Sequence, residues 1–310
     1  MLLTDDHISR DPLTSALMRK ERDGARGANV GRILANGDGW RALDVVCTAG
    51  PHDPPFEERH AWSSLSIVIA GIFSYRSGCG ATLMSPGAIM LGSFDRSFEC
   101  AHHHGEGDRC LSFQFSRELF EDVARGAGVT HIGFANDRIP PLRALSPFTV
   151  RAIDAMRAPA ALEEIALELA GATLRLEARV GLHHPNAATR DRIRIGEVIR
   201  HLNAHGAEHL SLAALAQLAD LSRYHFLRTF RKVTGITPHQ WILRARLREA
   251  AMRLVASADP ITGIAFEVGF DDLSNFIRSF RAEFGLSPRA YRANAASMKN
   301  PAARSYKIPA

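Results

Sequence analysis

The sequence has few cysteines and no long apolar segment. Its 310 residues include only four Cys, too few for the disulfide framework of a secreted protein. Residues 1–11 lack the apolar stretch of a signal peptide. The longest apolar run, Leu65–Phe73, is far shorter than the roughly 20 residues that span a bilayer. These absences argue against a secreted or membrane protein, and we expect a cytoplasmic protein with no membrane partner.

The positive charge is unevenly distributed. The whole chain has a net charge of +5, with 46% hydrophobic and 23% charged residues, as in ordinary globular proteins. Residues 190–292 hold 16 Lys and Arg against 10 Asp and Glu, whereas the rest of the chain holds 22 against 23. The excess positive charge therefore lies in the last third, where it would attract a polyanion.

The sequence pattern predicts an α+β chain of two domains with flanking segments. Polar, Gly-rich residues 1–40 predict a loosely ordered arm. Short strand-like segments with Gly and Pro turns, followed by a helix near the end, predict a β-rich domain over 41–180. A break in periodicity marks a linker at 181–189. Residues 190–293 are helical throughout, and 294–310 predict a flexible tail.

One segment of the helical domain occurs twice. Phe226–Pro238 is repeated by Phe276–Pro288 at a constant offset of 50 residues. In each copy a short helix precedes a basic helix, with Ser222 as the predicted N-cap in the first copy and Asp271 or Asp272 in the second. This order predicts two helix-turn-helix units, each with a second helix that enters a major groove of DNA.

A long helix is predicted between the two copies, from Pro238 to Ser257. Twenty residues in a helix measure about 30 Å, whereas successive major-groove faces of B-DNA lie roughly 34 Å apart. A stiff helix of this length would hold both units against adjacent grooves.

The last third resembles the DNA-binding domain of the AraC/XylS family of bacterial transcription regulators. The matching positions are Leu215-Ala216, Ser222, Phe226-x-Arg228-x-Phe230-Arg231, Gly235-x-x-Pro238, Arg246-Leu247-x-x-Ala250, Ile264-Ala265-x-x-x-Gly269-Phe270, Phe276-x-Arg278-x-Phe280-Arg281 and Gly285-x-x-Pro288-x-x-x-Arg292. The resemblance covers about a third of the chain and implies a sequence-specific regulator that is not an enzyme. It also implies promoter DNA and RNA polymerase as partners.

The resemblance further implies which residues contact DNA. Together with the cap and the outer arginines, they are Ser222, Arg223, Tyr224, Leu227, Arg228, Arg231, Leu273, Ser274, Asn275, Arg278 and Arg281. Leu227 and Leu273 depart from the family, which often has hydrogen-bonding side chains there. They either press on thymine methyl groups or are buried.

For the front domain, the resemblance implies a cupin-like barrel with flanking helices that binds a small effector and supports a homodimer. A helical stripe of apolar side chains allows two interpretations, a dimer interface or packing against the barrel. The stripe consists of Leu162, Ile165, Leu169 and Leu176.

A cluster of cysteine and histidine residues suggests a soft-metal site. In an extended segment, Cys100, His102 and His104 would project to one side, and Cys110 would return across a turn. Two thiolates and two imidazoles suit zinc. A polar hairpin without metal and a redox sensor at Cys100 and Cys110 are the alternatives, and the latter needs an exposed thiol of low pKa. We interpret Cys47 as structural or incidental.

A different class of function is an enzyme that uses the helical domain to reach DNA. An alkyl-transfer repair protein would need a reactive cysteine, and a cupin oxygenase would need a His-rich iron site, for which only His102 and His104 are candidates. The sequence has no nucleophile elbow, phosphate loop or dinucleotide fingerprint.

Overall fold

The computed structural model describes residues 11–103, 105, 107–130, 133–180, 187–205 and 211–299. The described residues up to 180 form a region of β-sheets and helices, and those of 187–205 and 211–299 are helical apart from turns and short connections. Among the described residues, no helix has the length and apolarity needed to cross a bilayer.

The front region contains two antiparallel sheets. Its strands are β1 (Asn29–Gly37), β2 (Trp40–Cys47), β3 (Phe56–Arg59), β4 (Ser63–Gly71), β5 (Phe73–Ser77), β6 (Gly80–Met84), β7 (Ile89–Gly92), β8 (Ser97–Ala101), β9 (Asp108–Phe115) and β10 (Arg138–Ile139). The first sheet has the order β1-β2-β9-β4-β7-β10, and the second has the order β3-β8-β5-β6.

The strand-rich character is confirmed, but we observe no closed barrel. Pairing among the described strands gives six strands in one sheet and four in the other, without a ladder that joins the two sheets. The turn signals of the sequence locate individual strands, whereas pairing between distant strands leaves no local signal. This is why the number of sheets was not predictable.

Among the described residues of the front region, four α-helices accompany the sheets: α1 (Pro12–Asp23), α2 (Arg117–Gly126), α3 (Ser146–Ala155) and α4 (Leu162–Val180). In α4, the side chains of Leu162, Ile165 and Leu169 are buried in one core with the first sheet, and Leu176 is half-buried against that core. The apolar stripe therefore packs inside this chain, and its interpretation as a dimer interface is wrong.

The loosely ordered arm predicted over 1–40 is wrong for residues 12–37. Asp11 caps α1 by accepting from the Thr14 amide, and Pro12 occupies the first helical turn, where its missing N–H is not needed. Lys20 forms a 3.0 Å ion pair with Asp53, which ties α1 to the sheets. Residues 1–10 lie outside the described residues.

Within 187–205 and 211–299, the back region consists of seven helices: α5 (Thr189–His205), α6 (Leu212–Leu218), α7 (Arg223–Thr234), α8 (Pro238–Ala256), α9 (Ile261–Glu267), α10 (Leu273–Phe284) and α11 (Pro288–Lys299). The flexible tail predicted from residue 294 is wrong up to Lys299, because α11 continues to that residue. Residues 300–310 lie outside the described residues, as do 181–186 of the predicted linker.

The back region has two apolar cores, and α8 contributes to both. Trp241, near the start of α8, is buried with α5, α6 and α7. Leu247, Ala250 and Leu254, further along α8, are buried with α9 and α10. Each helix-turn-helix unit thus has its own apolar core, and both cores include residues of the shared helix α8.

Candidate nucleic-acid interface

The first helix-turn-helix unit consists of α6 and α7. Asp220, with φ of 52°, makes the turn between them. Ser222 then caps α7 by accepting from the His225 amide at 3.4 Å, as predicted. The rings of Phe226 and Phe230 are fully buried, four residues apart on one face of α7. The opposite face is consequently exposed.

The second unit repeats this arrangement in α9 and α10. Asp272 is the cap, and its carboxylate accepts from the amides of Ser274 and Asn275 at 3.1 and 2.9 Å. A carboxylate at this position also favours the positive end of the helix dipole. Phe276 and Phe280 are fully buried, like their counterparts in α7.

The turn of the second unit depends on Gly269. Its φ is +94°, and a Cβ placed there would lie 2.8 Å from the Arg246 guanidinium carbon. Arg246, on α8, donates from Nη1 to the Gly269 carbonyl at 2.6 Å. A residue with a side chain would therefore strain the backbone and displace the contact that joins the turn to α8.

The connecting helix α8 has a well-defined start. Thr237 and Gln240 form a capping box, in which each side chain accepts from the other's backbone amide, and Pro238 follows the cap. The helix has 19 residues, a length of about 28 Å. Both units therefore share a single continuous helix, as the sequence predicts.

The predicted contact residues of the first unit form its exposed face. Ser222, Arg223, Tyr224, Arg228 and Arg231 are all exposed. The Tyr224 side chain is 71% exposed, and the Arg228 guanidinium lies 5.8 Å above its ring, within the range of a cation–π contact.

Leu227 and Leu273 occupy different environments. Leu227 is 37% exposed on the same face as the arginines of α7. Leu273 is half-buried and packs against the core of the second unit. Of the two alternatives for these leucines, an exposed apolar contact fits Leu227 and burial fits Leu273.

The exposed face of the second unit contains Ser274, Asn275, Arg278 and Arg281. Ile277 is also exposed on α10. Sequence reasoning missed it, although its offset of 50 from Leu227 was a usable signal.

Five arginines on the two faces share one electrostatic property. Within the described ranges, none of them forms an ion pair or donates a side-chain hydrogen bond. They are Arg223, Arg228, Arg231, Arg278 and Arg281. By contrast, Arg194 pairs with Asp220, and Arg253 pairs with Glu249 and Glu267. The cations on the exposed faces remain available for an external anion.

The comparisons with known proteins match this domain. A family model described as a helix-turn-helix domain matches residues 215–294. The HTH-type transcriptional activator RhaS of Escherichia fergusonii is 40% identical over 99 residues, which cover 32% of this chain and 36% of RhaS. The HTH-type transcriptional activator AarP of Providencia stuartii is 33% identical over 98 residues, which cover 32% of this chain and 73% of AarP.

The chain belongs to the AraC/XylS family. Among solved structures, the DNA-binding domain of AdpA in complex with a target DNA is 33% identical. The match covers 35% of this chain and 96% of that one, with a TM-score of 0.33. The match to RhaS spans only about a third of that relative's length.

In this AraC/XylS protein, the front region contacts the first helix-turn-helix unit through a buried arginine. Arg138, on β10, donates from Nη1 to the carbonyls of Leu83 and Val233 at 2.8 and 2.7 Å. Val233 belongs to α7, and Leu83 lies in the apolar core of the first unit. Burial lowers the pKa of Arg138 to about 10, so the guanidinium remains charged at neutral pH.

Separate contacts join the front region to α8 and to the second unit. Arg248 on α8 donates to the Pro86 carbonyl at 3.1 Å, and Gly87 leaves room for it, since a Cβ there would lie 2.4 Å from the guanidinium carbon. Ser146 of α3 donates to Glu283 of α10, and Val150 of α3 is buried in the second core. The exposed faces of α7 and α10 are not covered by these contacts.

The cysteines of the front region are unsuited to redox sensing. Cys100 and Cys110 are buried, and burial raises the pKa of both thiols well above the ordinary value. Burial also raises the pKa of Cys47 to about 12. A redox sensor needs an exposed thiol of low pKa, so that alternative is wrong for Cys100 and Cys110.

The predicted metal ligands are only partly brought together. His102 is buried and bonds through Nε2 to Asp108 Oδ2 at 2.7 Å. Cys110 Sγ lies 3.5 Å from Asp108 Oδ1. Cys100 shares an apolar cluster with Cys110, Tyr75 and Phe98, but its sulfur is not among the ligand atoms that converge on His102. His104 lies outside the described residues. Sequence reasoning missed Asp108 and set Cys47 aside, although both lie beside His102.

A cavity of about 260 Å³ lies between the two sheets. Its polar lining includes Arg41, His60, Ser66, Ser112 and Gln114, and its apolar lining includes Trp62, Met90 and Phe98. The His60 ring stacks on Phe98 and bonds to the Tyr75 hydroxyl at 2.8 Å. Burial lowers the pKa of His60 to about 4, so the ring is neutral at physiological pH.

Proposed function

We propose that this protein is a sequence-specific regulator of transcription that binds promoter DNA through α7 and α10. The observation that carries the proposal is the matched pair of capped helices on one connecting helix, each with two buried phenylalanines and exposed, outward-facing arginines. Duplex DNA is a periodic polyanion, and two similar cationic helices at a fixed separation suit it.

The connecting helix sets the scale of the complex. Its length of about 28 Å is close to the roughly 34 Å between successive major grooves on one side of B-DNA. With both cores anchored on α8, each recognition helix would enter its own groove. One chain would then cover about two turns of duplex.

Within each recognition helix we divide the contacts by chemistry. Arg228 and Arg278 are suited to base edges, since a guanidinium can donate two bonds to guanine. Tyr224, Leu227, Ser274 and Asn275 would contact bases or thymine methyl groups beside them, as would Arg223. Leu273, half-buried against the second core, would hold Ser274 and Asn275 in place rather than contact DNA itself. Arg231, Arg281 and the Ser222 cap would contact phosphates and fix the register of the protein.

For the front region, residues 41–180, we propose a cupin-like sensory domain. The cavity between the sheets would hold the effector, and its mixed lining suits a small polar molecule with an apolar portion. The buried contacts of Arg138, Arg248 and Ser146 would transmit effector binding to the recognition helices. A homodimer and contact with RNA polymerase complete the proposed mode of action, which takes place in the cytoplasm.

The relatives favour this proposal over a DNA-targeted enzyme. RhaS and AarP are transcriptional activators. A reactive alkyl-acceptor cysteine needs a lowered thiol pKa, whereas Cys47, Cys100 and Cys110 have raised ones. A non-haem oxygenase needs two histidines and a carboxylate. Among the described residues, the group around His102 offers one histidine, one carboxylate and a thiol.

The test starts with selection of bound genomic DNA, with and without candidate metabolites. On the selected operator, we expect Arg228→Ala and Arg278→Ala each to weaken binding by roughly 1–3 kcal/mol and to relax preference at one position. Arg125→Ala is the matched control, because Arg125 is an exposed arginine on α2, remote from both recognition helices. Mobility-shift titrations measure the affinities.

Two results would contradict the proposal. One is an operator that binds both recognition-helix variants as tightly as the wild type. The other is a selection that recovers no sequence preference under any condition.

A further inference from the structure

A compact group of metal-binding side chains lies at one end of the two sheets. Cys47 ends β2, Asp108 begins β9, and the two are direct partners in the β2–β9 ladder. His102 follows β8 of the other sheet. Each residue offers a ligand atom, and these atoms all lie within 4.8 Å of one another. We call Cys47, His102, Asp108 and the neighbouring Cys110 the inter-sheet cluster.

The inter-sheet cluster is buried and incompletely satisfied. Cys47, His102 and Asp108 are 3%, 5% and 5% exposed. One ring nitrogen of His102 bonds to Asp108, but the other, Nδ1, has no partner among the described residues. Buried polar groups are nearly always paired, so the unpaired Nδ1 means that the protein's own hydrogen bonds do not satisfy this ring.

Cys110 supplies a fourth donor. Its sulfur lies 3.5 Å from Asp108 Oδ1, and the residue is buried on the same strand. Zinc bonds of about 2.0–2.3 Å place neighbouring ligand atoms roughly 3.3–3.8 Å apart in a tetrahedron. The ligand atoms of Cys47, His102 and Asp108 therefore need only small movements to surround an ion, whereas Cys110, which lies outside that group of three, has to move further to complete the tetrahedron.

From this geometry we propose that Cys47, His102, Asp108 and Cys110 bind one zinc-class divalent ion. Two sulfur, one nitrogen and one oxygen donor match the soft and borderline ligands that zinc takes in four-coordinate sites. Cys47, Asp108 and Cys110 also line the cavity between the sheets, which gives the ion a route of entry.

The ion would cross-link the two sheets. Cys47, Asp108 and Cys110 belong to the six-stranded sheet, whereas His102 follows a strand of the four-stranded sheet. A bond from each side to the same ion would fix the end of the cavity, beside the site proposed for the effector. Metal binding does not require the DNA-binding function, so the two proposals can fail independently.

The first experiment uses the untagged full-length protein. After treatment with chelator and incubation with zinc chloride, we expect about one zinc per chain by mass spectrometry of the metal content. With cobalt chloride in place of zinc, we expect the absorption of a tetrahedral, thiolate-bound cobalt ion. Less than about a tenth of an equivalent of zinc per chain would overturn the proposal. Cobalt absorption that lacks a thiolate band would also overturn it. Both outcomes are measured on the wild-type protein.

The second experiment assigns the ligands with conservative changes. Cys47→Ser and His102→Gln are each expected to weaken zinc affinity by more than about 100-fold, since even outer-shell partners account for 10–100-fold. Cys79→Ser is the matched control, because Cys79 is an exposed free cysteine in the turn between β5 and β6, and it should bind zinc as the wild type does. Circular dichroism confirms that each variant is folded.

A third variant separates this ligand set from the one predicted from sequence. Cys100→Ser should retain zinc, because Cys100 neither belongs to the three residues whose ligand atoms converge nor bonds to one of them, whereas Cys110 contacts Asp108. Loss of zinc in Cys100→Ser with full retention in Cys47→Ser would reject the inter-sheet cluster as the site.

Discussion

The two helix-turn-helix units have matching interiors and different surfaces. Each buries two phenylalanines four residues apart and begins its recognition helix with a side-chain cap. Yet α7 contains four Lys and Arg and no acidic residue, whereas α10 contains two Arg and one Glu and follows Asp271 and Asp272. The duplicated core is therefore a scaffold that tolerates different surface chemistry.

This difference suggests a division of labour on DNA. Four cations on α7 favour strong, sequence-independent attraction to phosphates. Ser274 and Asn275, exposed at the start of α10, can donate and accept hydrogen bonds and so discriminate base edges. We therefore expect the first unit to contribute more of the salt-dependent affinity for phosphates, and the second unit to contribute more of the sequence recognition through hydrogen bonds to bases.

The largest expected effect is a loss of stability, which tests whether the apolar cores of the two units are equivalent. Phe230→Ala and Phe280→Ala should each lower the free energy of unfolding by about 3–5 kcal/mol, because both rings are fully buried. Urea unfolding measures the decrease, and hydrogen exchange should locate it in the unit that carries the change. Leu218→Ala, at an exposed position of α6, is the control and should cost far less.

An unequal result would break the comparison. If Phe280→Ala lowered the free energy of unfolding by less than a third of the decrease caused by Phe230→Ala, the two cores would not be equivalent. If either variant increased hydrogen exchange equally in both units, the two cores would not be separate.

Much of the helical domain could be predicted because its determinants are local. Caps at Ser222 and Asp272, the paired phenylalanines and the connecting helix from Pro238 are all set by residues within a few positions of one another. Reliance on local patterns also explains why residues 12–37 were predicted to be loosely ordered, although they form a helix and a strand. Their composition is polar, and the contact of Lys20 with Asp53 that holds α1 in place joins distant parts of the chain.

Contacts between distant segments account for what sequence reasoning missed. Arg138 reaches Val233 only because β10 lies against α7, and no pattern near either residue indicates it. Cys47 meets Asp108 through the pairing of β2 with β9. His102 and Cys110 could be predicted as ligands because they are close in the chain. Their partners Cys47 and Asp108 could not, because only the fold brings these residues to His102.

The next effect concerns how each unit is held by the front region. Arg138→Met should destabilise the protein by about 1.5–3 kcal/mol, since it leaves the buried Leu83 and Val233 carbonyls without their charged donor. Ser146→Ala removes one hydrogen bond to the Glu283 carboxylate of the second unit and should cost about 1.5 kcal/mol, the low end for a bond to a charged group, because Arg244 still pairs with Glu283. Thermal unfolding of the full chain measures both.

DNA binding adds a second readout to this pair of variants. If the front region orients the DNA-binding domains, Arg138→Met should also change the preferred spacing between the operator halves that the two chains of the proposed homodimer bind, as measured in a selection experiment. The two bonds from Arg138 to the first unit and its core, against one from Ser146 to the second, predict a larger loss for Arg138→Met, and equal destabilisation would contradict that ranking. An unchanged spacing in both would leave the front region without a role in orientation.

The smallest effect sharpens the electrostatic difference between the units. Lys232 is an exposed cation next to Arg231 on α7, and we expect it to contact a phosphate as well. Replacing both residues by Ala should lower the slope of log affinity against log salt by about 1.8, because each phosphate that is no longer neutralised reduces it by about 0.9. Arg281→Ala in α10 should lower it by about 0.9, and the Arg125→Ala control should leave it unchanged. Titrations on one operator at several salt concentrations give the slopes. A larger change from Arg281→Ala than from the double replacement would reverse the assignment, and α10 would then be the helix that anchors the protein to the phosphates.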